Sequence, residues 1–91
     1  MSYKAAFAPK AAEQLRTMPP RLGWKVLDAV DILCEDPVRR SRVSHLPHPR
    51  QFQMFLTRVE DRGRAWHLTV YFAYAADEQT LFIIEFVIYE T

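Results

Sequence analysis

The chain has one cysteine, Cys34, and two glycines, Gly23 and Gly63, in 91 residues. A lone cysteine excludes an internal disulfide and fits a reducing cytoplasm. A nucleophilic thiol needs an activating base beside it, and without one Cys34 reads as a small core residue. Two isolated glycines exclude a Gly-rich phosphate loop. No apolar run reaches the roughly 18 residues that span a bilayer, and the opening MSYKAAFAPKAAEQL lacks the apolar stretch of a secretory signal. The expectation is a cytoplasmic protein with no membrane role. Repeats, low-complexity tracts and interdomain linkers are also missing. Lysine is absent from residues 37–67, and lysine and arginine are both absent from residues 68–91.

What is present fits one α+β domain. The apolar fraction of 49% and charged fraction of 25% are ordinary for a globular protein, and the length leaves no room for two cores. The formal net charge of +1 hides an uneven distribution. Residues 37–67 hold Arg39, Arg40, Arg42, Arg50, Arg58, Arg62 and Arg64 with His45, His48 and His67, against only Glu60 and Asp61. Arginine without lysine favours planar, forked contacts to phosphate or carboxylate. This segment reads either as a solvated loop with scattered charges or as a surface for a polyanion or an acidic partner.

The apolar spacing divides the chain into elements. Tyr3–Phe7 predicts a short strand. Pro9 opens a helix at the position where its missing N–H costs nothing, with Ala11, Ala12, Leu15 and Met18 at helical spacing. Pro19-Pro20 stops it. A second helix from Arg21 to Glu35 carries the stripe Leu22, Val26, Ala29, Val30 and Leu33, and the pair forms a helical hairpin. Trp24 lies off that stripe, as an exposed partner contact or packed on the first helix. Residues 37–51 predict a loop with a turn of helix near Val38–Val43. Three strands follow, Phe52–Glu60, Ala65–Ala75 and Thr80–Tyr89, and their short links imply antiparallel pairing. The fold expected is β-α-α-β-β-β, a helical hairpin packed on a small antiparallel sheet. The chain is expected to finish on that last strand.

Alternation assigns faces. Trp66, Leu68, Val70, Phe72 and Tyr74 share one, and His67, Thr69, Tyr71 and Ala73 the other. In the last strand Phe82, Ile84, Phe86 and Ile88 predict the apolar face, and Leu81, Ile83, Glu85, Val87 and Tyr89 the other. The candidate cluster is Arg58, His67, Tyr71, Glu85 and Tyr89 on the three strands, the last four on the less apolar face by alternation. Arginine supplies charge to a phosphodiester, and His, Tyr or Glu move protons. The competing account makes the tyrosines half-buried residues with wet hydroxyls. His45 and His48 lack supporting ligands, so no metal and no cofactor is expected.

Several stretches resemble, in order, the RelE/ParE superfamily of bacterial type II toxins. Tyr3 to Ala11 is similar to the opening strand and "F-S-P-x-A" helix start, with Ala8 in place of Ser. Leu15 to Pro19 resembles "L-x-x-L-P", with Met18 for the second Leu. Val30 to Pro37 resembles "I-x-x-L-x-x-D-P", Ser44-His45-Leu46 stands at "x-K-L", Leu56 to Asp61 resembles "x-x-R-V-G-D", and Trp66 to Tyr71 corresponds to "Y-R-V-I-Y" with one residue more. Ile88-Tyr89 stands where the family commonly has "H-R", and His67 where an Arg is common. The resemblance implies a protein neutralised by a cognate antitoxin that wraps it. It implies either ribosome-dependent messenger RNA cleavage, as in RelE-like members, or inhibition of DNA gyrase, as in ParE-like members. A homologue that no longer cuts RNA, or a relative with an unrelated interaction role, fits the same fold. The catalytic set implied is Arg58, His67, Tyr71 and Tyr89, with Arg39, Arg40, Arg42, Arg50, Arg62 and Arg64 as RNA contacts.

Overall fold

A computed structural model describes residues 2–43 and 52–91. The element order is β1 (Lys4–Phe7), α1 (Pro9–Thr17), α2 (Pro20–Glu35), α3 (Pro37–Arg40), β2 (Arg42–Val43), β3 (Gln53–Asp61), β4 (Arg64–Tyr74) and β5 (Thr80–Glu90). Prolines set the helix starts. Pro9, Pro20 and Pro37 each occupy the first helical position. Ala8 and Pro19 offer no side-chain cap to α1 and α2, so these helices depend on burying their apolar stripes. The predicted stripe of α2 holds: Val26, Ala29, Val30 and Leu33 are buried. Segment 37–43, expected as loop with a helical turn, forms α3 and the two-residue β2, and Asp36 caps α3 by accepting from the Arg39 N–H.

The five strands form one sheet in the order β1-β5-β4-β3-β2. It is mixed, which corrects the all-antiparallel expectation: β1 runs parallel to β5, with Lys4 opposite Thr80 and Phe7 opposite Ile83. A hydrophobic run does not encode its partner, and the helices carry the chain from β1 to β2 at the opposite edge, leaving β1 to pair with β5. The β3–β4 turn has Arg62 at φ 51° and Gly63 at φ 78°. Two left-handed residues in succession match the twist of a tight hairpin.

The second correction concerns β5. Tyr71 pairs Glu85 but Phe72 pairs Ile83, so Ile84 is an extra residue, a β-bulge. The bulge inverts the alternation on its N-terminal side. Leu81 and Ile83 are fully buried, while Phe82, predicted for the core, is 43% exposed and Ile84 only half-buried. Beyond the bulge Phe86 is buried as expected. The helices cover one face, over a core of Leu68, Val70, Phe72, Leu81, Ile83 and Phe86 from the sheet with Val26, Val30 and Leu33 from α2. Cys34 sits in this core, and burial pushes its thiol pKa up, with Asp31 adding to the effect.

Where β1 stops, α1 takes over the edge of β5. The Gln14 side-chain amide donates to the Phe86 carbonyl at 2.7 Å and accepts from the Phe86 N–H at 2.8 Å. It satisfies two backbone groups that the short β1 leaves unpaired.

Candidate functional site

Among the described residues no helix packs on the second face of the sheet, and the register arranges its residues in rows across the strands. One row is Arg58, His67 and Tyr89: Arg58 pairs His67, and His67 pairs Tyr89. Residues directly opposite in a sheet point the same way with Cβ atoms about 5 Å apart. Three of the predicted site residues thus form one line. The His67 and Tyr89 rings have centroids 5.4 Å apart and planes inclined by 52°. All three side chains are open to solvent.

Tyr71 shares the face but not the row. It lies four residues along β4 from His67, about 13 Å at the rise of a strand. Its own row is Arg42, Met54, Tyr71 and Glu85. Glu85 is held by Lys10, whose ammonium reaches round the sheet edge from α1 to 2.5 Å. Between the two rows stand Leu56, Thr69 and Val87. Leu56 is 52% exposed and Val87 40%, so the site floor is apolar at its centre.

The arginines expected to bind RNA do not form one patch. Arg42 lies on the open face at the Tyr71 end. Arg39 and Arg40 are on α3, and Arg39 is within 3.8 Å of Asp36. Arg62 sits in the β3–β4 turn. Arg64 alternates onto the helix-covered side, where Glu90 holds its guanidinium through two hydrogen bonds and the Trp66 ring centroid lies 5.1 Å below it. The pair holds the Glu90 carboxyl below the usual carboxylate range. Arg50, His45 and His48 lie outside the described residues. Among the described residues, no group of three or more His, Cys, Asp or Glu is placed to hold a metal ion.

Two electrostatic partners escaped the sequence reasoning. Glu60 accepts from Arg58 at 3.1 Å, and both side chains are more than half exposed. Water screens such a pair to little net energy, so Arg58 can leave it for a phosphate. Spacing i,i+2 on a strand was the available signal. Asp61 is forked by Arg21 of α2 at 2.7 and 3.0 Å, which holds its carboxyl well below the usual range. This contact ties the hairpin tip to α2, and only the tertiary fold brings the two together. A cleft of about 320 Å³ at this tip is lined by Lys25, Arg58, Arg62 and Arg64 together with Glu60 and Asp61.

No protein-family model matches the chain, and no curated protein matches it in sequence. Among solved structures the chain is similar to a chain of the toxin–antitoxin complex RelBE2 from Mycobacterium tuberculosis. The TM-score is 0.67 at 19% identity, over 94% of this chain and 96% of that one. The α+β architecture, helices on one face of a five-stranded mixed sheet, is therefore a RelE-like fold. No helix among the described residues is long and apolar enough to cross a membrane.

Proposed function

We propose that this chain is the toxin of a type II toxin–antitoxin pair, acting in the cytoplasm and neutralised by a cognate antitoxin protein. The observation that carries this is the fold shared with a chain of a toxin–antitoxin complex over 94% of the length. The activity we propose is RelE-like cleavage of messenger RNA on the ribosome, at the row Arg58, His67 and Tyr89. The ribose 2′-hydroxyl attacks its own phosphate, forming a 2′,3′-cyclic phosphate as the bond to the 5′-oxygen breaks. Arg58 leaves Glu60 and stabilises the charge growing on the phosphate. His67 and Tyr89 take the proton from the 2′-hydroxyl and return one to the leaving 5′-oxygen. Tyr71, about 13 Å along the strand, serves the flanking nucleotide by stacking. Arg42 and Arg62, on either side of the row, hold its phosphates, with Arg39 and Arg40 as outer contacts.

A second function, non-enzymatic binding of DNA gyrase or a toxin homologue that no longer cuts RNA, is favoured by a different observation. Leu56 and Val87 lie exposed beside the row, Phe82 is exposed on the same face, and the formal net charge is only +1. Such a face suits a protein partner better than a polyanion.

Messenger cleavage in a ribosome-containing extract separates the two. If the chain is a nuclease, wild-type protein cleaves, and Arg58→Ala and His67→Ala abolish cleavage and relieve growth arrest. Intact messenger together with inhibited gyrase supercoiling would sink the nuclease reading.

A further inference from the structure

We infer that the cleft at the β3–β4 hairpin tip is a phosphate subsite that takes the RNA phosphodiester next beyond the row Arg58, His67 and Tyr89, with Lys25 and Arg62 holding it. The inference rests on the messenger reading above and extends the site to a residue of α2. The cleft holds about 320 Å³, the low end of the range for a ligand site. Lys25 enters it from α2 and Arg58 from the open face. β2 pairs only with Gln53 and Met54, so farther along no strand among the described residues lies beside β3. The cleft therefore turns the corner of the sheet, from the row to the helix side.

Charge selects an anion. Three ion pairs engage the other charged groups here: Arg21 with Asp61, Arg58 with Glu60 and Arg64 with Glu90. Lys25 and Arg62 make no ion pair among the described residues. Arg21 is the largest cause of the lowered Asp61 pKa, and Arg62 and Lys25 add to it, so both reach toward that carboxylate. Arg21 already holds both Asp61 oxygens, which leaves the charges of Lys25 and Arg62 as the surplus of the cleft. Arg62 also stands at the first left-handed position of the turn, at φ 51°, where Asn, Asp or Gly is preferred. The chain holds a guanidinium there at a conformational cost. The lining favours phosphate over a protein partner. Apart from Gly63 and Ala65 every residue of the cleft is charged, so it offers none of the aromatic anchors that dominate protein interfaces. Continuity favours a strand over a free ion. Arg58 belongs both to the row and to the cleft, so a chain bound along the row meets the cleft next.

Fluorescence anisotropy of a labelled single-stranded RNA with the full chain, over a salt series, tests this. On a single strand each phosphate contact adds about 0.7 to the slope of log affinity against log salt. Lys25→Gln and Arg62→Asn remove the two charges, and asparagine suits the turn. Each is expected to weaken binding and to flatten the slope by about 0.7. Lys4→Ala removes the same charge from β1, at the far edge of the sheet, and should leave the slope unchanged. Circular dichroism melts matching the wild type show that the variants are folded. If Arg58→Ala flattens the slope while Lys25→Gln and Arg62→Asn do not, the cleft is overturned and the row stands. A wild type that binds no RNA also overturns the cleft, and the messenger reading is then judged separately by cleavage in the ribosome-containing extract. Inorganic phosphate at matched ionic strength should not displace RNA that the row also holds. Displacement that is lost in Lys25→Gln would make the cleft a small-anion site and overturn the proposal. So would a poly-glutamate peptide that binds the wild type more tightly than RNA does and is released by Lys25→Gln.

Discussion

The two faces of the sheet are both rich in apolar residues and meet opposite fates. On the covered face Phe72, Leu81 and Ile83 have no exposed surface. On the open face Leu56, Phe82 and Val87 keep 40–52% of theirs. Hydropathy alone does not tell these sets apart. The helices do, because α1 and α2 supply the stripe that closes a core over one side only. Apolar content left on the other side is then surface available for a partner or a substrate, and Leu56 and Val87 border the row Arg58, His67 and Tyr89 on one side.

The comparison breaks most sharply at its centre. Phe72→Ala should destabilise by about 3–5 kcal/mol, because it leaves a cavity in a close-packed core. Urea unfolding followed by tryptophan fluorescence reads this through the midpoint. The next largest effect lies at the sheet edge. Gln14→Ala strands the Phe86 N–H and carbonyl and should cost about 1–3 kcal/mol. Hydrogen exchange at the Phe86 amide should accelerate with it, whereas an unchanged rate would show that the glutamine does not protect that N–H. Leu56→Ala, on the open face, should move stability by no more than about 0.5 kcal/mol. Equal losses for Phe72 and Leu56 would mean that the two faces are not different at all.

The smallest effect concerns the turn that starts the β4–β5 register. The Asp77 carboxylate accepts from the Gln79 and Thr80 N–H groups at 2.9 and 3.0 Å and from the Thr80 hydroxyl at 2.9 Å. The Gln79 bond is the largest cause of its lowered pKa. A carboxyl with a depressed folded-state pKa contributes stability that is present above its unfolded pKa, near 3.9 for aspartate. That contribution is lost as pH falls through the folded value. The melting temperature of the wild type should therefore fall below about pH 4 more steeply than that of Asp77→Asn. Parallel curves would rule out the contribution.

Much of this was legible in the sequence. Proline placement and the 3.6-residue spacing locate α1 and α2, and β4 alternates cleanly because polar His67, Thr69 and Tyr71 separate Leu68, Val70 and Phe72. The β5 run fails as a guide for the opposite reason. Leu81, Phe82, Ile83 and Ile84 are all apolar, so alternation has no phase there, and the bulge at Ile84 changes the phase without a mark in composition. Alternation also gives a face but not a row. It placed His67, Tyr71, Glu85 and Tyr89 together, and only the register adds Arg58 and sets Tyr71 and Glu85 in a separate row. The Arg21–Asp61 and Lys10–Glu85 contacts join residues remote in the chain and leave no local trace.

The parallel pairing of β1 with β5 has a consequence for how the protein is made. β1 finds its neighbour only in β5, so it must wait, unpaired, while the hairpin of β3 and β4 can already form from adjacent sequence. Tyr89 belongs to that same late strand. A growing chain that has produced Arg58 and His67 still lacks the third member of the row. Whatever the row does, a partly synthesised chain does not yet possess it.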